Sequence, residues 1–391
     1  MTALPLTSDS WTEEEIGAIQ SVVDSGFYTM GENTHTFECK FSKYHSVKHA
    51  VMVNSGSSAN LVAVAGLIYS EEYDLKPGDE VIVPCVGWAT SYYPLHQYGL
   101  TMRFVDIDLH TLNYDLNSLE DAITQRTRMI LAINILGNPN KLREIRELCD
   151  KKNLILFEDN CESFGARYEG KLAGTWGHVG TFSTYFSHHM NTIEGGLILS
   201  ESKNLDSIMR SIRSHGWNRN IDLSVQKTTK SKNNQVDFEN SFDFFYPGYN
   251  LRPMEFSAAI GIVQLDKVDN LISIRQNNAR IFQSIIKDIP WIQPQKETGE
   301  SSWFSFSMIV DKNIDFTMFE LIQSLKDDGI ETRPIVSGNF LKQPVMKHMD
   351  YNIYGKTPNA DIVHNGGFYI GNHAHNISKE LNYFKRSCCS L

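Results

Sequence analysis

The chain has 391 residues, 41% of them hydrophobic and 21% charged, with 26 glycines and 12 prolines. That is the composition of an ordinary globular protein of two or three structural units, and it excludes a fibrous or low-complexity chain. Thirty-six basic against 46 acidic residues leave a formal charge of −10, which argues against nucleic acid or an anionic membrane as the main partner.

The first helix opens at Thr12, where Thr12 and Glu15 form a capping box, Trp11 can pack on Ile16, and Gly26 closes the helix. Strand patterns follow at Ala50–Val53, Glu80–Pro84, Met102–Val105, Met129–Ile135 and Leu154–Phe157. They alternate with helical patterns at Ser58–Ile68, Thr90–Tyr98, Ser118–Thr124 and Leu142–Lys152. This alternation predicts an α/β fold with a mostly parallel sheet. Gly180–Tyr185 and Gly196–Leu199 read as further strands and Leu205–Ser214 as a helix. Asp222–Asn240 is a polar stretch without periodicity, expected to be a surface loop. A helix runs from Pro253 to about Lys267 and a second begins near Ile272. The last third offers a strand at Trp303–Val310, a helix at Thr317–Lys326 and a strand at Glu331–Val336. The expected division is a larger unit over 1–262, including an N-terminal arm, and a smaller α+β unit over 263–391. No internal repeat is visible.

Six cysteines are scattered at positions 39, 85, 149, 161, 388 and 389. None forms a C-x-x-C pair, so no zinc or iron–sulfur site is expected, and free thiols suit a reducing compartment, with the cytoplasm as the expected location. Residues 1–10 show no basic stretch leading into an apolar core, and no apolar run approaches the roughly 20 residues that span a bilayer.

In open α/β sheets, ligands bind beyond the carboxyl ends of the strands, so the residues following each strand carry the functional reading. Asn54-Ser55-Gly56-Ser57-Ser58-Ala59-Asn60 follows a strand and opens a helix. Small residues, free helix-end N–H groups and serine hydroxyls make either a phosphate cup or a plain strand-to-helix turn. Glu158-Asp159-Asn160-Cys161-Glu162 ends another strand, where a carboxylate can serve a metal, a ribose, a protonated ring nitrogen or merely the turn. Trp88 follows Val83-Pro84 and either stacks on a flat ligand or fills the core. His188 and His189 are adjacent on an extended backbone, so at most one of them faces a site and a shared metal is not expected. His373 and His375 read as structural.

Together these pieces match the needs of pyridoxal phosphate. The marks are Gly56-Ser57-Ser58-Ala59, Glu158-Asp159, Gly180-Thr181-Phe182-Ser183, Glu194-Gly195-Gly196 and Gly248-Tyr249-Asn250-Leu251-Arg252-Pro253. With them, nearly the whole chain resembles the fold-type I pyridoxal-phosphate enzymes of the DegT/StrS family, which act on nucleotide-linked keto sugars. The resemblance implies that Gly56, Ser57 and Ser183 hold the phosphate, Trp88 stacks on the pyridine ring, Asp159 pairs with its nitrogen and Glu162 lies near its hydroxyl. It also implies a homodimer with shared active sites, in which Asn250 reaches the phosphate of the neighbouring subunit. His215, Arg219 and Arg333 are the implied contacts to the sugar or its diphosphate.

The informative departure is a missing lysine. Aminotransferases of the family carry their cofactor-bonding lysine seven residues before the Gly-Gly pair, and here that position is His188. No lysine lies between Lys171 and Lys203. An imidazole is not a primary amine, so the cofactor must be held without a covalent bond, with pyridoxamine phosphate as its resident form. The substitution resembles the sugar 3-dehydratases of the family. It implies removal of the C3 hydroxyl of a nucleotide-linked 4-keto-6-deoxy sugar, GDP-4-keto-6-deoxymannose being the expected substrate. His188 would act as acid–base catalyst and L-glutamate would restore the amine. The alternative is a nucleotide-sugar 4-aminotransferase.

Overall fold

The computed structural model describes residues 3–217, 242–312 and 314–390. In chain order, α1 (Glu13–Ser25) and α2 (Glu32–His45) precede β1 (His49–Val53), α3 (Gly56–Tyr69), β2 (Glu80–Pro84), α4 (Ala89–Gln97) and β3 (Thr101–Val105). Then come α5 (Leu116–Asp121), β4 (Thr127–Ile133), α6 (Leu142–Lys152), β5 (Ile155–Asp159) and a small hairpin, β6 (Arg167–Tyr168) and β7 (Lys171–Leu172). β8 (Val179–Ser183), β9 (Gly196–Ser200), α7 (Lys203–Arg213) and the long α8 (Glu255–Ile285) follow. The chain closes with β10 (Ile292–Pro294), β11 (Ser305–Val310), α9 (Met318–Asp327), β12 (Thr332–Pro334), β13 (Tyr351–Ile353), α10 (Pro358–Gly366), β14 (Gly367–Gly371) and α11 (Ser378–Cys389).

The larger sheet has the order β1-β9-β8-β5-β4-β2-β3-β13, and β9 alone runs against the others. Parallel strands need helical crossovers and both faces covered, and the near-continuous apolar strands supply the core. Val81, Phe104 and Leu131 of the sheet pack with Val62, Ala65 and Leu67 of α3 and Ile208 and Met209 of α7. A second sheet, β10-β11-β14-β12, is antiparallel throughout. Its core centres on Phe282 of α8, stacked on Phe306 at 4.4 Å, with Leu321, Phe368 and Phe384 around them.

Local signals explain the ends of several helices. The Thr12–Glu15 capping box is present, and Gly26 closes α1 in the left-handed region. Trp11, however, sends its indole N–H to the Asn191 carbonyl (3.0 Å), and Ile16 remains 52% exposed. The two helices expected around 253–267 and from 272 are one 31-residue helix, because no glycine or proline separates them. α2 carries no cap of its own. The buried Glu255 carboxylate, more than 200 residues away, receives the N–H groups of Gly31, Asn33 and Thr34 at 2.7–2.9 Å. β13 adds a segment from the last fifth of the chain to the edge of the larger sheet beside β3. No helix among the described residues is long and apolar enough to cross a membrane.

Candidate active site

The parallel strands β1, β2, β4, β5 and β8 all end on one edge, and a cavity of about 330 Å³ opens there. Its floor starts at the turn from β1 into α3. Ser55 caps α3 by accepting the Ser58 N–H (3.1 Å), which leaves the helix N-terminus open toward the cavity. A side chain at Gly56 would place its Cβ 2.6 Å from Ser183 Cβ and 2.9 Å from Cys161 Sγ. The position therefore admits only a glycine, and it brings α3 against the end of β8. Ser57 and Ser183 hydroxyls line the same corner.

Asp159 ends β5 and is 3% exposed. Its Oδ2 accepts from Asn60 Nδ2 (2.8 Å) and Ser91 Oγ (2.6 Å), and its Oδ1 accepts the Cys161 N–H (3.0 Å). The carboxylate, which accepts hydrogen bonds only, also lines the cavity and can face a donor there. Trp88 sits at the start of α4 with its indole 57% exposed at the cavity wall. It is a flat apolar face offered to a ligand and not a core residue.

The loop between β8 and β9 carries the histidines. Thr184 and Thr192 hydroxyls meet at 2.6 Å, Thr184 N–H reaches the Gly195 carbonyl (2.9 Å) and Phe186 N–H that of Ile193 (3.0 Å). These bonds pinch the loop shut and present its tip. His188 lines the cavity with its ring edge-on to Phe304 at 5.1 Å. His189, next to it in the same turn, does not line the cavity and donates from Nε2 to the Ser302 carbonyl (3.0 Å). Burial, together with the Arg275 guanidinium, pushes the His188 pKa down to about 3, so the imidazole is neutral and begins as a proton acceptor. Arg275 is itself buried, donating to the Asn372 carbonyl (2.7 Å) and the Phe304 carbonyl (3.2 Å).

The smaller sheet and its approach strand supply the far wall through Phe304 and Tyr369. Between them and β5 lies the turn 135–137, with Leu136 in the left-handed region (φ 52°, ψ 33°). Such backbone costs a branched residue about 1–2 kcal/mol, and here the turn is held from both sides. Leu136 donates its N–H to Glu162 Oε2 (3.0 Å) and accepts from Phe304 N–H (3.2 Å). Gly137, at φ 96°, lies so close to Trp303 that a Cβ would stand 2.6 Å from its nitrogen. Burial raises the Glu162 pKa from the ordinary 4.5 to about 7, with the nearby Asp159 charge adding to it and the Leu136 N–H opposing.

The raised Glu162 pKa has a stability signature. Between pH 4.5 and 7 the folded protein holds this proton and the unfolded chain does not, so stability falls as pH rises through that window. Glu162→Gln has no proton to lose. The melting temperature of the cofactor-free variant should therefore gain on that of the parent from pH 5 to pH 7.5. A constant difference across that range would mean that Glu162 titrates normally.

Residues 9–383 match the DegT/DnrJ/EryC1/StrS aminotransferase family. The chain belongs to this family. It is 47% identical over 386 residues to GDP-4-keto-6-deoxy-D-mannose 3-dehydratase of Escherichia coli O55:H7, covering 98% of this chain and 99% of the relative. Among solved structures it superposes with a TM-score of 0.96 on the E. coli enzyme of that name with bound hydrated pyridoxal phosphate, at 46% identity over 99% of this chain and all of the other. A structure of GDP-4-keto-6-deoxymannose 3-dehydratase with a trapped pyridoxal phosphate–glutamate geminal diamine gives a TM-score of 0.95 at 46% identity, covering 98% of this chain and all of the other.

Among the residues expected from the sequence of this DegT-family chain, Gly56, Ser57, Trp88, Asp159, Glu162, Ser183 and His188 converge on the one cavity. Arg333 lies opposite Tyr369 in the β12–β14 register and lines an adjoining cavity of about 390 Å³ that shares Trp88, Glu162 and Tyr369 with the first. His215 does not line either. It lies in the left-handed region (φ 64°), donates its N–H to Tyr249 and packs on Trp217. Asn250 is exposed, accepts from Arg252 Nε (3.1 Å) and does not line its own chain's cavity. Arg219 and the expected loop 222–240 lie outside the described residues.

Sequence reading gave no role to Asn60, Ser91, Phe304, Tyr369 or Arg275, although Asn60 closed the segment read as a candidate phosphate cup. The donor set fits pyridoxal phosphate. An anion corner is built from Gly56, Ser57 and Ser183, a flat indole stands beside it, and the Asp159 carboxylate lines the same cavity. Among the described residues no lysine lines the cavity.

Proposed function

We propose that this family member is a pyridoxamine-phosphate-dependent 3-dehydratase of nucleotide-linked 4-keto-6-deoxy sugars, acting on GDP-4-keto-6-deoxymannose with L-glutamate as amino donor. The observation that carries the reading is His188, a neutral imidazole in the cavity where the family's aminotransferases place a lysine amine. The 47% identity over nearly the full length to a protein of that name supports the substrate.

When bound, the cofactor supplies an amine that can join the sugar's keto carbon and a ring that takes up the electron pair released next to it. The chain's residues do the rest. Gly56 and Ser57 N–H groups and the Ser57 and Ser183 hydroxyls bind the phosphate. Trp88 covers one ring face, and Asp159 accepts the ring N–H. Glu162, protonated in part near neutrality, offers a hydrogen bond to the phenolic oxygen. Ser187 Oγ lies 3.4 Å from His188 Nδ1, leaving Nε2 free to take the proton from the cofactor's aminomethyl carbon. An imidazole this weakly basic gives the proton up readily, and the departing C3 hydroxyl is its recipient. Loss of the C3 oxygen reduces the sugar by two electrons. Glutamate loses the same two in becoming 2-oxoglutarate and ammonia, so the exchange balances without a further reductant.

Arg333, paired with no carboxylate in the described residues' ion pairs, suits a diphosphate or carboxylate at the cavity mouth. His215 and Arg219 are assigned to the same polar part of the substrate. Asn250 is assigned to the phosphate site of a second copy, which makes the protein a homodimer with shared active sites. Its exposure supports that assignment. Sedimentation should give twice the 44.5 kDa chain mass, and Asn250→Ala should weaken pyridoxal phosphate binding. A monomer with full cofactor affinity would remove this part of the reading.

The lysine-free site makes a chemical prediction. Borohydride treatment of the protein loaded with pyridoxal phosphate should leave the polypeptide mass unchanged, because no side-chain amine bonds to the cofactor. A mass gain of one reduced cofactor, mapped to a lysine peptide, would overturn noncovalent retention and favour the aminotransferase.

A further inference from the structure

Asp159 is held from behind by a chain of buried polar groups that the chemistry above does not use. Thr181 Oγ1 lies 2.6 Å from Asn60 Oδ1, Asn60 Nδ2 lies 2.8 Å from Asp159 Oδ2, and all three side chains are at most 3% exposed. A carboxylate only accepts hydrogen bonds, so the Asn60 amide must turn its NH2 toward Asp159. Its oxygen then faces Thr181, and the threonine hydroxyl must donate. Each group thereby dictates the orientation of the next. Thr181 does not line the cavity, whereas Asn60 and Asp159 do. Asn60 also stands one helical turn beyond Gly56 on α3, while Thr181 and Ser183 project from the same face of β8. The chain thus ties the two elements that form the anion corner to the carboxylate that faces the ring nitrogen.

We infer that Thr181 and Asn60 are positioning residues that fix the Asp159 carboxylate for the cofactor's ring nitrogen. The inference rests on the cofactor reading above. Without the Thr181 hydroxyl, the Asn60 oxygen loses its buried donor, and only the Nδ2 contacts to Asp159 (2.8 Å) and the Thr90 carbonyl (3.4 Å) still orient the amide. The aim of Asp159 is then loosened, with Ser91 and the Cys161 N–H still holding it, although no residue lining the cavity has been replaced.

The test uses the full-length protein and pyridoxal phosphate labelled with nitrogen-15 in the ring. Thr181→Val and Asn60→Leu should each weaken cofactor binding about tenfold, the loss expected for one buried hydrogen bond. The nitrogen-15 resonance should move toward that of a neutral pyridine. The double variant should bind no more weakly than Asn60→Leu alone, because both act through one contact. Thr181→Ser, which keeps the hydroxyl, should restore affinity and resonance. If Asn60→Leu fails to fold, the Thr181→Val and Thr181→Ser pair still decides the matter. Parental affinity and resonance in Thr181→Val, or additive losses in the double variant, would overturn the relay. A parent that does not bind pyridoxal phosphate would instead remove the cofactor reading itself.

Discussion

Replacing His188 with asparagine should slow sugar dehydration by about 10²–10⁴, the usual worth of one positioned acid–base group, while cofactor affinity stays within a few-fold of the parent. Asparagine is close to the imidazole in size and keeps a polar group against Ser187 and Phe304, so the loop pinched by Thr184 and Thr192 has no reason to move. What disappears is an imidazole nitrogen that is neutral at working pH and able to accept a proton. Because the His188 pKa lies near 3, the base form is already fully populated at pH 5, and the rate of the parent should show no acid-side fall centred near 6.5 from this residue. Turnover by ammonia release, with cofactor titration of the same preparation, checks both halves. Near-parental turnover in His188→Asn would mean that another group moves the proton.

The second large effect is expected at Asp159. In Asp159→Asn the amide oxygen must stay where Asn60 and Ser91 donate, because an NH2 there would face two donors. The NH2 then occupies the place of Oδ1, confronting the Cys161 N–H and the cavity. An acceptor aimed at the ring nitrogen becomes a donor. A hydrogen bond to a charged group is worth about 1.5–3 kcal/mol, so pyridoxal phosphate affinity should fall roughly 10- to 100-fold. Turnover at saturating cofactor should fall further, because a ring that no longer holds its proton takes up electrons poorly. Unchanged affinity with unchanged turnover would place the ring nitrogen elsewhere.

How much of this was legible in the sequence depends on how local each signal is. The Thr12–Glu15 capping box, the strand-to-helix turn at Gly56 and the carboxylate at the end of β5 are encoded within a few residues of themselves, and they stand where the pattern puts them. Only His188 of the two histidines lines the cavity, as expected, but both sit in a turn and not on the extended backbone on which that expectation rests. α2 escaped notice because its cap is Glu255, which joins it only in three dimensions. β13 is three residues long and has meaning only beside β3. The split expected between Lys267 and Ile272 in α8 is not there, since no glycine or proline stands between them. Phe304 and Tyr369 enter the site because the approach to β11 and its pairing with β14 place them there, and register is not written in any one strand. The partners of Asp159 were hidden for the same reason. Asn60, Ser91 and Thr181 lie on three different elements, and only folding shows that they share one carboxylate.

The central claim is that the site removes an oxygen and does not leave an amine. The most direct measurement follows the protein supplied with pyridoxal phosphate, L-glutamate and GDP-4-keto-6-deoxymannose, quantifying ammonia, 2-oxoglutarate and the sugar product together. Dehydration predicts the three in equal amounts, with the sugar recovered as the 3-deoxy-4-keto nucleotide. A stable 4-amino sugar, formed with 2-oxoglutarate but without ammonia, would contradict the account and make the protein an aminotransferase that works without a lysine.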